Sequence, residues 1–163
     1  MPSAPSRAIK LFGTEEPVVP RRVLAAGPLG AELDAGNLRY IRLGGVEAVR
    51  AISFIVRDRD WGTYLPVIDN LRIEENEHGF AISYDAVCKD ARQELRYSAR
   101  ITGARDGTLR AEATGRVITD FVTNRTGFVV LHPIAGVSGQ PVEVLHVDGT
   151  VESARFPDLV DPM

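Results

Sequence analysis

The chain is poor in the residues that staple, export or anchor a protein. Cys88 is its only cysteine, so no disulfide can form within it. No apolar run approaches the ~20 residues that a membrane-crossing helix needs. The N-terminal "MPSAPSRAIKLFGTEEP" has no apolar core of the length a signal peptide requires. Together these absences read as a cytoplasmic protein without a membrane partner. Lysine is scarce: of 19 basic residues only Lys10 and Lys89 are lysines. The formal net charge is −3 with both signs interspersed, which argues against a nucleic-acid partner, since that surface concentrates cations on one face. Aromatics make up 7% with one tryptophan, thin material for a sugar-binding platform. A sustained helical period is missing as well.

What is present suits one globular domain. A chain of 163 residues, 44% hydrophobic, can bury roughly 70% of the surface its unfolded form exposes. Residues 1–20 are proline-rich and aperiodic and read as an extended N-terminal arm. From about residue 22 to 155, short alternating runs are separated by Gly, Asp and Asn. That pattern predicts an all-β fold, an antiparallel β-sandwich of two packed sheets with about nine to eleven strands. The domain is expected over 21–156, with 157–163 opening a linker to a missing downstream domain.

Three hairpins can be argued to register. In Leu38–Leu43, Gly44-Gly45, Val46–Val56, the two glycines suit a primed turn. That turn pairs Leu43 with Val46, Arg42 with Glu47 and Ile41 with Ala48. The return strand is apolar on both faces, as in a strand with neighbours on both sides. The second hairpin joins Val67–Glu75 to Phe80–Val87 through a four-residue "NEHG" loop. It is expected to place Leu71 and Ile73 on one face with Phe80, Ile82 and Tyr84. In the third, "RQELRYSARIT" and "TLRAEATGRV" flank "ARDGT". A three-residue loop over 105–107, with Gly107 left-handed, keeps both apolar faces inward. It sets Leu95 opposite Val117, Tyr97 opposite Gly115, Arg100 opposite Glu112 and Ile101 opposite Ala111. Further strands are expected near Val23–Ala26, Gly30–Asp34, Gly127–His132, Val142–Val147 and Thr150–Arg155. "Val147-Asp148-Gly149-Thr150" signals another hairpin. Asn124-Arg125-Thr126 fits a glycosylation sequon but reads as a turn.

Three strings carry a resemblance: "LRYIRLGGVEAVRAISFIVRDRDWGTY", "TNRTGFVVLHP" and "VEVLHVDGTVESARFPDLVDP". They resemble the N-terminal domain of the D-apionate lactonase family, from about residue 20 to the end. The resemblance implies a longer bacterial parent in carbohydrate catabolism. In it an N-terminal sandwich precedes a barrel-like domain bearing catalytic carboxylates, as in glycoside hydrolases. It implies no catalytic residue in this chain, so the catalytic residues remain unknown and the fragment alone is expected to be non-catalytic.

The residues themselves offer a few candidates. Asp58 and Asp60 flank Arg59 ahead of Trp61. On an extended strand the two carboxylates would point the same way ~6–7 Å apart, a spacing usable for acid–base work on a sugar. Trp61 and Tyr64 could stack on a sugar ring. The competing interpretation favours self-neutralising charges and an interdomain role. His132 and His146, with Asp148, could form an open metal site, but no ligand spacing supports one and no metal or other cofactor is expected. His78 reads as solvated. Cys88 and Ser138 lack the surroundings of a nucleophile. The expected partners are the chain's own downstream catalytic domain and a carbohydrate. A free-standing carbohydrate-binding module and a small mutarotase- or epimerase-like sandwich enzyme are the alternatives.

Overall fold

The computed structural model describes residues 5–15 and 21–159. Eleven strands make three antiparallel sheets among the described residues. The first sheet runs β1 (Arg22–Ala26), β2 (Leu29–Asp34), β3 (Asn37–Leu43), β4 (Val46–Asp58) and β9 (Thr123–Leu131), in that spatial order. The second runs β5 (Val67–Asn76), β6 (Gly79–Lys89), β7 (Glu94–Ala104) and β8 (Leu109–Val117). β10 (Pro141–Leu145) and β11 (Val151–Arg155) form a separate two-stranded ribbon. The expected sandwich is therefore present.

The arm contains one element not expected from the sequence, a helix α1 over Arg7–Phe12. Ser6 accepts a hydrogen bond from the Ile9 N–H, and Gly13 turns left-handed (φ 75°) to end the helix. Residues 16–20 lie outside the described residues, as do 160–163 of the segment read as a linker. Pro157 and Asp158 are tied back to the fold, since the Ser138 hydroxyl reaches the carbonyl of Asp158 at 2.8 Å.

The core fills the space between the two large sheets. Leu24, Leu38 and Ile82 are fully buried, with Leu33, Ile41, Phe80 and Ile101 around them. Alternation explains most of this: β7 buries Leu95, Tyr97, Ala99 and Ile101 and exposes the polar residues between them. Leu38 and Ile41 break the rule, because three residues apart they should face opposite ways. Tyr40 between them adopts a left-handed backbone (φ 49°), and β3 carries one extra residue there against β2. This bulge turns both side chains inward. A second irregularity, an extra residue (Ala48) on β4 between the Ile41 and Arg42 pairs, corrects the first hairpin. Leu43 pairs with Val46 and Arg42 with Glu47 as expected, but Ile41 pairs with Val49 rather than Ala48.

The second hairpin needs a similar correction. Asn76 pairs with Gly79, so the loop is two residues, Glu77 and His78, rather than four. A left-handed Asn70 (φ 53°) shifts the register between Asp69 and Arg72. Leu71 is consequently exposed, and Ile68 joins Ile73 against the core in its place. Gly79 has positive φ (150°), and a side chain there would run into the carbonyl of Gly103 on the adjacent strand. The third hairpin matches its expected register throughout, with Gly107 at φ 92°.

One buried hydrogen bond ties the sheets together. The Tyr84 hydroxyl on β6 donates to the Gly36 carbonyl in the β2–β3 turn at 3.0 Å. Gly36 is left-handed (φ 80°), and a Cβ there would press on the Ile68 side chain and the Tyr84 ring. Aromatic contact adds to this tie, with the Phe54 and Tyr97 rings 4.5 Å apart.

The sandwich is not closed along its whole length. Val117 lies on the same face as core residue Leu95, its cross-strand partner, yet it is 56% exposed. Phe128 and Val130 pair with Phe54 and Ile52 of β4, yet they are 41% and 47% exposed. Inward-facing side chains at the end of β8 and on β9 are thus left without a cover among the described residues. The Asn124–Thr126 stretch, expected as a turn, lies within β9. No helix among the described residues is long and apolar enough to cross a membrane.

Candidate functional site

The exit of β4 is the most distinctive local structure. The charged run is a turn, not the extended strand that would align two carboxylates. The Asp58 carboxylate accepts from the backbone N–H groups of Asp60 and Gly62, both at 2.8 Å. The backbone closes the same loop, since the Asp58 N–H donates to the Gly62 carbonyl at 2.9 Å. A Cβ at Gly62 would strike the Asp58 carboxylate and disturb this turn. Asp58 is therefore engaged in holding a turn. Asp60 lies 3.6 Å from Arg59, and both are strongly exposed, an arrangement worth little energetically. The two acids are thus not aligned on one extended strand, the arrangement that the acid–base alternative requires.

The turn presents Trp61. Its backbone is left-handed (φ 69°), a strained state for a bulky residue that costs roughly 1–3 kcal/mol. The residue is 52% exposed. The guanidinium carbons of Arg57 and Arg125 each lie 5.5 Å from its ring centre. Those arginines are direct partners across β4 and β9, and the register shifts just beyond them, between Arg57 and Asp58. Sequence reasoning singled out Trp61 but missed both arginines. Arg57 was adjacent in the sequence; Arg125 needed the β4–β9 pairing, which nothing local encodes.

Tyr64 has different partners. Its hydroxyl donates to the Asp90 carboxylate and accepts from the Gln93 side chain at 2.8 Å. Its ring lies 5.6 Å from Phe121. Burial and then the Asp90 carboxylate push the Tyr64 hydroxyl above its ordinary pKa. The same hydrogen bond, with the Arg92 N–H, holds the Asp90 carboxyl below its own. Tyr64 is thus engaged with Asp90 and Gln93, whereas Trp61 contacts Arg57 and Arg125.

The histidines occupy different surroundings. His132 follows β9 and packs against Phe156, ring centres 5.1 Å apart. It lines an apolar hollow of about 330 Å³ with Ile134, Val137, Phe156 and Leu159. His146 faces Glu152 across the β10–β11 ribbon at 3.1 Å. Asp148 is occupied by the N–H and hydroxyl of Thr150, which hold its carboxyl below the ordinary value. Among the described residues no three His, Cys, Asp or Glu side chains are grouped to hold a metal. His78 is exposed beside Glu77. Cys88 is buried, and desolvation pushes its thiol up to about 11, the opposite of a nucleophile's shift.

A second concavity lies on the outer face of the β5–β8 sheet, an open trough of about 620 Å³. At its centre Asp85 accepts from the Ser98 hydroxyl at 2.6 Å and the Asn70 side chain at 2.9 Å, which lower its pKa. These groups satisfy one another on the wet face of an ordinary half-buried sheet.

Comparison with known proteins gives the chain its relatives. The family described as "D-apionate lactonase, N-terminal domain" matches residues 9–163. A D-apionate lactonase of Brucella anthropi is 46% identical over 154 residues, covering 93% of this chain and 25% of that protein. The chain thus spans about a quarter of the curated relative's length. No solved structure matches it. An all-β sandwich matched from its ninth residue to its last by one family places this chain in the D-apionate lactonase N-terminal domain family.

Proposed function

We propose that this chain is the accessory N-terminal sandwich of a longer, bacterial, cytoplasmic D-apionate lactonase-like protein, and that it supports a catalytic domain, barrel-like and bearing the catalytic carboxylates, outside the chain. The carrying observation is the open flank. Val117, Ile118, Val122, Phe128 and Val130 are all at least 40% exposed. Beside that flank in the sequence, the β10–β11 ribbon exposes Leu145, Val147 and Val151. Such apolar surface marks a docking site. Its natural occupant is the remaining three quarters of the parent. The chemistry assigned to the parent is addition of water across a sugar-acid lactone carbonyl with opening of the ring ester. In keeping with this, Asp58 and Ser138 are engaged in hydrogen bonds and Cys88 is buried with its thiol pKa pushed up.

The test is a side-by-side assay of the 163-residue chain and its full-length parent on a sugar-acid lactone. Hydrolysis by the parent alone is the expected result. Equal turnover by the chain would overturn the accessory role.

A further inference from the structure

Arg57 and Arg125 sit directly opposite one another across β4 and β9, an arrangement of like charges that disfavours the strand pair. Among the described residues neither lies within ion-pair distance of a carboxylate, and the buried Nε of Arg57 has no hydrogen-bond partner. The nearby acids are spent: Asp58 caps its turn and Asp60 pairs with Arg59. The indole of Trp61 offsets part of the repulsion by lying 5.5 Å from both guanidiniums. Trp61 makes that contact from a left-handed backbone while remaining about half exposed, so burial does not offset the strain. Two uncompensated guanidiniums beside an exposed aromatic face, held by a strained turn, make an anion site with an apolar wall. We infer that the Arg57–Arg125–Trp61 group binds the carboxylate of a small organic acid, the guanidinium forks taking the carboxylate and the indole taking the C–H face of its carbon chain. This does not rest on the accessory role, and it adds a ligand site to a domain otherwise assigned a docking function.

Trp61 is the only tryptophan, so its fluorescence reports this site without a label. Gluconate, titrated into the 163-residue chain, is expected to give a saturable change in the millimolar range. Glucose is expected to give none, and sodium sulfate at matched ionic strength none beyond a linear drift. Arg125→Gln is expected to weaken gluconate binding at least tenfold, with circular dichroism confirming the fold, while Arg72→Gln on the other sheet keeps affinity within twofold. Should Arg125→Gln fail to fold, Arg125→Lys keeps the charge and loses the fork, with a several-fold loss expected. A gluconate response no different from sulfate would overturn the site on wild-type protein alone. Inorganic phosphate binding as tightly as gluconate would overturn its carboxylate character. Because lactone hydrolysis is not the readout, failure here leaves the accessory role standing.

Discussion

Two regions of this sandwich obey the same alternation rule with opposite outcomes. Where β1 meets β6 and β7, side chains from both sheets share one core, and Leu24, Leu38 and Ile82 are completely buried. Along β9 and the end of β8, inward side chains of the same character remain half exposed. The packed region contains the β3 bulge, whereas β8 pairs without a break and β9 breaks register only at its Thr123 end, so irregular strand pairing does not explain the exposure of the flank. What differs is the presence of a second layer. Patterning prepares a face for burial, but only a neighbouring element performs it.

Substitutions sharpen this contrast, and the largest effect is expected at its packed end. Leu38→Ala should destabilise the chain by roughly 2–5 kcal/mol in urea unfolding, the cost of a cavity that cannot collapse. Gly79→Ala should cost more than about 1 kcal/mol, because a positive-φ position gains a side chain facing the Gly103 carbonyl. Tyr84→Phe should cost about 1 kcal/mol, since it removes the hydroxyl joining the sheets and strands the Gly36 carbonyl.

Acidification probes the tie between the β4 exit and the second sheet. Folding favours the ionised form of Asp90, whose pKa is lowered chiefly by the Tyr64 hydroxyl. Its contribution is complete above the ordinary carboxylate value of about 4 and disappears as pH falls through its lowered folded value. Asp90→Asn should therefore flatten part of the stability loss below about pH 4. Asp85, Asp106 and Asp148, shifted the same way, keep the remainder. At the open end, Leu145→Ser should change the stability of the isolated chain by no more than about 0.5 kcal/mol, because a 72%-exposed side chain has little burial to lose.

The same contrast explains what could be read from the sequence. The β7–β8 hairpin was legible to the residue because its loop chemistry and its inside–outside pattern agree on one register. The β5 face was misread at Leu71 because a left-handed Asn70 inserts a bulge, and asparagine in a strand does not announce one. Tyr40 hid the bulge of β3 in the same way. The sandwich needed only local patterns. The Trp61 site needed a pairing between strands some 70 residues apart, Arg57 with Arg125. A linear reading saw "RDRDW" as an isolated run, whereas the fold spends Asp58 on a turn and brings the second arginine from β9.

Amide hydrogen exchange, compared between the 163-residue chain and its full-length parent, tests the central claim that the open flank is where the rest of the protein sits. The account predicts slower exchange in the parent along β9 and the β10–β11 ribbon, with rates across β6 and β7 unchanged. Equal rates in both proteins along β9 and the ribbon would contradict it.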